Sequence, residues 1–293
     1  MTPFDFVRPH TLSQAIALLD PDDPHVLPVG GATALTQMMK VGVLRPTRLV
    51  FLDRVEPEHA EIRVDAQGNL HLGGMARLSA LERSSLVRQG WPVLTRALHN
   101  LANVRVRNVA TVGGCMAHAD PHMDLPPILS ALGAHAVIAG PAGERVVPIE
   151  ALHIGYYEVA LARNELIAKV VVPPMGPQRA AYSKVTTRVK HDWPALGLAV
   201  SLTVAEDGRL SQVSLVLGAV MDKPTRLVSA ENLLRGARPE ANILSEAGAA
   251  AVASLDIVGD THGSASYKKQ LLRTYLGRTV RLALDTAHEG TAP

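Results

Sequence analysis

Along the first half of the chain, apolar positions switch between helical spacing and short runs. Leu12, Ala15, Ile16 and Leu19 recur on one face of a helix that Thr11 or Ser13 can cap. A breaker cluster over 20–24 follows, then a short strand over 25–29 that runs into Gly30-Gly31. Leu35, Met38 and Met39 share one side of a helix predicted over 32–40, and 49–52 reads as a buried strand. Segments 61–64 and 70–72 form a hairpin across Ala66-Gln67-Gly68-Asn69. Helices are predicted over 78–84, 92–101 and 125–132, and a strand over 135–139.

The texture changes at 172–177, where Pro173, Pro174 and Pro177 cannot continue a strand. Beyond it the pattern predicts strands over 181–188, 198–205 and 210–217, with Asp207-Gly208 as a hairpin turn. Helical spacing then covers 227–234, 243–253 and 267–287. The expectation is an α+β chain of two domains. Residues 1–175 carry the α/β texture, and residues 176–293 form a smaller antiparallel sheet with a helical layer.

Composition narrows the function classes. With 47% hydrophobic and 19% charged residues the chain is globular, and with 3% aromatics its core must be aliphatic. A net charge of +2 gives no footprint for nucleic acid. The nearest basic stripe, Lys184, Arg188, Lys190 and His191, has no aromatic beside it except Trp193. A single cysteine, Cys115, excludes an internal disulfide and an iron–sulfur cluster held by this chain alone. No apolar run approaches membrane-spanning length, and residues 1–9 lack the apolar stretch of a signal peptide, so a cytoplasmic location is expected.

Candidate chemistry gathers at two glycine pairs and one polar run. Gly30-Gly31 and Gly113-Gly114 each follow an extended segment, and adjacent glycines let backbone N–H groups converge on an anion. At the first pair a helix begins near Ala32 and adds its own N-terminal amides. Two such loops would clamp a diphosphate from both sides, although each pair taken alone suits an ordinary turn better. No GxGxxG supports a Rossmann site. His118, Asp120, His122 and Asp124 alternate like metal ligands, but Pro121 interrupts any regular element and Asp124 immediately precedes a helix, where an N-cap acceptor is expected. Lys184 and Arg188, four apart on a predicted strand, share a face that suits a phosphate, a flavin or a solvated edge.

These motifs together resemble the FAD-binding medium subunits of the molybdenum hydroxylases, the family of xanthine dehydrogenase and carbon monoxide dehydrogenase. Phe4-Asp5-Phe6-Val7-Arg8-Pro9 is similar to the family's F-x-Y-x-R-P opening. The run 29–35 with Met39-Lys40 is similar to its A-G-G-x-x-L…M-K loop, and 104–114 to its Q-I-R-N-x-G-T-I-G-G segment. Ala117-His118-Ala119-Asp120-Pro121 and Asp124-Leu125-Pro126 match A-H-A-D-P-x-x-D-L-P. Glu165-Leu166-Ile167 with Val172-Pro173 is like its G-E-L-L…I-P strand, and Tyr182-Ser183-Lys184 with Asp192-Trp193 is like its Y-x-K…D-[YF] signature. The resemblance spans nearly the whole chain and is specific for the family, not for the substrate.

The resemblance implies a two-part α/β FAD-binding domain of the vanillyl-alcohol-oxidase (PCMH) type, then a small C-terminal sheet-and-helix domain. It implies that Val29, Gly30, Gly31, Ala32, Thr33, Ala34 and Leu35, with Thr111, Gly113, Gly114 and Cys115, hold the FAD diphosphate. Asp124 would bind the ribityl or adenosine side, with Ala117 and Asp120 in the same run. Leu101, Ala102 and Ile167 would line the cofactor, Lys184 would approach it from the second domain, and Trp193 would lie near the isoalloxazine. Cys115 stands where the family has Asn, and Ala32-Thr33-Ala34 replaces a more polar stretch, so backbone amides are expected to carry most diphosphate recognition.

No residue is expected to act as acid or base on the organic substrate, and no metal is expected in this chain. FAD would be non-covalent. Molybdopterin and two [2Fe–2S] clusters would reside in a large and a small partner subunit of an (αβγ)₂ assembly. Two other readings stay open: a scaffold subunit with a weakened FAD site, and a free-standing FAD oxidoreductase.

Overall fold

The computed structural model describes residues 3–286, and the end of the helix predicted over 267–287 lies outside them. The chain opens with three short parallel strands, β1 (Asp5–Val7), β2 (Val26–Val29) and β3 (Arg48–Phe51), in the order β1-β3-β2. Helix α1 (Leu12–Leu18) begins at Thr11, whose side chain accepts the Gln14 N–H as an N-cap acceptor should. Helix α2 (Thr33–Lys40) follows β2. The sheet is buried on both faces, as parallel sheets are: Val26 and Val50 meet Ala15 and Leu19 on one side, Val29 and Leu49 meet Met39 on the other.

A second, antiparallel sheet has the order β4-β5-β10-β6-β7. Its first hairpin is β4 (Ile62–Val64) and β5 (Leu70–Gly73), as the sequence predicts. Six short helices intervene: α3 (Leu78–Arg83), α4 (Ser85–Gly90), α5 (Pro92–Asn100), α6 (Val104–Arg107), α7 (Val112–His118) and α8 (Leu125–Ala131). Strand β6 (His135–Gly140) pairs with β7 (Gly143–Pro148), then come α9 (Ile149–Leu152) and the small pair β8 (His153–Gly155) and β9 (Glu158–Val159). Strand β10 (Leu166–Val172) returns to the middle of the sheet between β5 and β6. Its side chains are buried except for Lys169, which suits a sequence that is apolar at all its other positions.

The third sheet runs in order β11 (Arg179–Thr186), β12 (Pro194–Val204), β13 (Leu210–Gly218) and β14 (Thr225–Arg226). Alternation divides its residues between two cores. Ala180, Ala199 and Val216 join the core of the preceding half, while Ala181, Leu198, Val200 and Leu217 meet α10 (Val228–Leu234), α11 (Ala241–Ala253) and α12 (Ala265–Asp285). Helix α8 docks on the first face, where Gly218 leaves room for Pro127: a Cβ there would sit 3.1 Å from the proline ring. Each Leu or Val buried this way contributes about 1.5–3 kcal/mol. The sheet is therefore clamped between α8 and the terminal helices, and β11 is set against the first half of the chain.

Candidate cofactor site

Strand β2 delivers the chain to Gly30-Gly31 at the C-terminal end of the parallel sheet. Ala32 turns left-handed, with φ 57°, and α2 starts at Thr33. Ala32 has no side-chain acceptor, so the first-turn N–H groups of Thr33, Ala34 and Leu35 are left uncapped at the positive end of the helix. That arrangement suits a diphosphate. Space, not φ, demands the glycines. A Cβ on Gly31 would lie 1.9 Å from the Val109 carbonyl oxygen, and one on Gly30 2.5 Å from Thr111 Oγ1. The first glycine loop thus lies directly on segment 109–111. Val29 and Leu35 turn their side chains inward, against Met39 and Leu49.

The second glycine pair departs from the expected loop. It sits in the first turn of helix α7, capped by Thr111, whose Oγ1 accepts the Gly114 N–H at 3.2 Å. Val112 N donates to the Ala76 carbonyl at 2.9 Å, Gly113 N to Gly74 at 2.8 Å, and Cys115 N to Thr111 at 2.9 Å. These amides are engaged within the protein, which corrects the expectation that both pairs offer free N–H groups to an anion. Close packing explains the glycine at 113: a Cβ would stand 2.9 Å from the Gly74 oxygen, while one on Gly74 would stand 2.1 Å from the Ile167 oxygen. Gly114 and Ala117, three apart, form an exposed face of α7 with almost no side chain. Cys115 faces the other way and is buried. Burial, with the Asp124 charge added, pushes its thiol far up, so it is a core residue and no nucleophile.

Asp124 holds the N-cap position of α8 but does not cap it, another correction. Its Oδ1 accepts the Tyr182 hydroxyl at 2.7 Å and its Oδ2 accepts Lys184 Nζ at 2.8 Å. Lys184 Nζ also donates to the Asn100 carbonyl at 3.3 Å. The two charged side chains are only 5% and 8% exposed. Burial pushes the Asp124 carboxyl up against the pull of Lys184 and Tyr182. Burial and the Asp124 charge also raise the Tyr182 phenol, keeping it a donor. This ion pair stitches β11 to the start of α8 and the end of α5. Arg188 does not share it, because β11 ends at Thr186 and Arg188 is exposed beyond. The predicted common strand face of Lys184 and Arg188 is therefore absent.

Leu101 and Ala102 form a turn in which Ala102 has φ 47°. Arg107 holds that turn by donating from Nη1 to both carbonyls, at 2.9 and 2.6 Å. Its Nε and Nη2 pair with Glu82 at 2.8 and 3.3 Å, and its side chain is 8% exposed. Arg107 and Glu82 escaped the sequence reading, since a buried guanidinium leaves no periodic signal. Only its place in the 104–114 motif hinted at a role.

Asp120 accepts from Tyr157 Oη, from the His122 N–H at 2.8 Å and from His122 Nδ1 at 3.1 Å. Burial works against its charge, but these donors outweigh it and hold the carboxyl below its usual range. Trp193, 42% exposed, meets His122 edge-on with centroids 6.0 Å apart. Among the described residues no group of three or more His, Cys, Asp or Glu is arranged for a metal ion. The string at 118–124 is dispersed: His118 packs on Tyr157, His122 on Asp120, and Asp124 on Lys184.

The chain matches two family models. Residues 2–175 match the FAD binding domain in molybdopterin dehydrogenase, and residues 180–283 the CO dehydrogenase flavoprotein C-terminal domain. It is 31% identical to the alpha subunit of the 6-hydroxypseudooxynicotine dehydrogenase complex of Paenarthrobacter nicotinovorans, over 97% of this chain and 95% of that one. It is 30% identical to the carbon monoxide dehydrogenase medium chain of Hydrogenophaga pseudoflava, over 97% and 96%. A solved carbon monoxide dehydrogenase from Hydrogenophaga pseudoflava, lacking the Mo-pyranopterin moiety of its cofactor, superposes with a TM-score of 0.92 at 30% identity, covering 97% of this chain and 99% of that one.

Proposed function

Because this chain belongs to the family of FAD-binding medium subunits of the molybdenum hydroxylases, we propose that it is the electron relay of such a complex. It takes electrons from the [2Fe–2S] clusters of a partner subunit and passes them to an external acceptor. Bound FAD supplies the redox chemistry, through its isoalloxazine. The chain's own residues bind and orient it. The uncapped amides of Thr33, Ala34 and Leu35 meet the diphosphate charge, and Gly30 and Gly31 let the backbone come close. The bare face of Gly114 and Ala117 lets the cofactor lie along α7. Arg107 fixes the Leu101–Ala102 turn, and the Asp124–Lys184 pair keeps a cation of the second domain beside the first. Trp193 shields the flavin edge.

The partners are a large molybdopterin-binding subunit and a small [2Fe–2S] subunit in an (αβγ)₂ assembly in the cytoplasm. The division of the chain is 1–175 for FAD and 176–293 for the C-terminal domain. A single buried cysteine leaves cluster ligation to other chains. No helix among the described residues is long and apolar enough to cross a membrane. The observation that carries the reading is the uncapped helix start packed on segment 109–111, in a chain matched by both family models.

The test is rapid mixing of the purified complex with its organic substrate. With this chain omitted, the clusters still bleach while turnover with the external acceptor is lost. Unchanged turnover without the chain would refute the relay.

A further inference from the structure

Segment 119–124 leaves α7 and crosses to the C-terminal half, where the Ala219 N–H donates to the Pro121 carbonyl at 2.8 Å. His122 sits at the crossing. Its Nδ1 lies 3.1 Å from Asp120 Oδ1, and its Nε2 lies 2.9 Å from Asp260 Oδ2, in the turn that precedes α12. Asp260 also accepts Lys268 Nζ at 2.5 Å, and Lys268, buried on α12, donates to the Ala219 carbonyl at 2.8 Å. Asp120 is held in turn by Tyr157. Two further imidazoles stand close by: His262, with its centroid 4.9 Å from that of His122, and His118, which packs on Tyr157.

Both ring nitrogens of His122 therefore face carboxylate oxygens. A neutral imidazole carries one N–H and donates to one of them; only the imidazolium donates to both. We infer that His122 is a proton-operated latch, which as imidazolium ties segment 119–124 to the turn at Asp260 and on losing its proton releases one of the two carboxylates. Burial draws His122 down, but hydrogen bonds and charge from Asp120 and Asp260 more than reverse this, so it holds its proton above its ordinary 6.5. The latch contributes fully below about 6.5 and is lost as pH rises through the elevated value. Asp120 belongs to the segment assigned to FAD, so release of the latch also loosens the cofactor; this consequence alone rests on the FAD reading.

The experiment uses the full chain, wild type and His122→Gln, from about pH 5.5 to about pH 9. Thermal midpoints, FAD release and Trp193 fluorescence are read together, the last as the difference from Trp193→Phe. Expected are a fluorescence transition centred above 6.5 and absent in His122→Gln, a wild-type advantage in thermal midpoint that at least halves between the acid and alkaline ends, and FAD release that speeds up severalfold over the same range. A pH-independent gap, or a transition centred at or below 6.5, overturns the latch. Should His122→Gln fail to fold, the wild-type fluorescence titration decides. A normal latch titration with constant FAD release refutes the link to the cofactor, and a chain that binds no FAD refutes the FAD reading while the latch is judged on the other two readouts.

Discussion

Replacing Gly31 with alanine tests the cofactor loop at its tightest point. The added Cβ would stand 1.9 Å from the Val109 carbonyl oxygen, 2.5 Å from its carbon and 2.7 Å from Ala110 Cα, all backbone atoms. Ordinary contact begins at 3.4 Å, so the loop and segment 109–111 must part by roughly 1.5 Å. No flexible side chain is available to yield. Overpacking costs about 1–3 kcal/mol, and a backbone-on-backbone clash belongs at the upper end. For a chain of this size that lowers the thermal midpoint by about 4–10 °C. Shifting the first turn of α2 also disturbs charge-assisted hydrogen bonds worth about 1.5–3 kcal/mol each, so FAD affinity should fall about 10- to 100-fold. Gly90→Ala is the control: nothing lies within 4 Å of its new Cβ, and neither stability nor affinity should fall. Flavin-fluorescence titration and thermal melts read both quantities. A Gly31→Ala chain that melts like wild type and binds FAD within about twofold refutes the reasoning.

Lys184→Met leaves the Asp124 carboxylate buried without its cation, and loss of one partner of a buried pair costs about 3–5 kcal/mol; denaturant unfolding should show it. Arg107→Lys keeps the charge but loses the fork that holds Glu82 and the two carbonyls, so FAD affinity should drop with stability, as paired titrations would detect. Cys115 should resist a thiol reagent in the native chain and react on unfolding, because it is buried and protonated. Although burial opposes its charge, Asp260 is held at about 2 by Lys268 and His122, so its contribution is present above the ordinary 3.8 and lost as pH falls toward about 2. The gap in thermal midpoint between wild type and Asp260→Asn should close over that window.

Periodicity made the long helices legible, because each buries one face, and the strands of the third sheet showed as apolar runs bounded by turn signals, because the sheet is covered on both faces. Periodicity failed at α7, where two glycines argue against a helix on propensity alone. The contact with Gly74 requires glycine at 113, and Thr111 supplies the cap that lets the helix start there. Strand β7 was equally hidden, since its residues are mostly exposed and no apolar run or alternation marks it; pairing with β6 creates it. The first glycine loop was readable because strand, glycines and helix are contiguous. The Asp124–Lys184 pair and the His122 bridge to Asp260 join residues 60 and 138 positions apart, and no local pattern encodes such contacts. Cys115 and Ala34 looked like a weakening of the cofactor site in the sequence, but the Cys115 side chain is buried in the core, which leaves Ala34 alone to argue for a scaffold without FAD.

The most direct measurement is the cofactor content of the complex purified with this chain at full length. Flavin absorption bands are expected, with about one FAD per copy of this chain, released intact by acid, alongside iron and molybdenum. A complex that carries iron and molybdenum but no flavin would contradict the FAD reading.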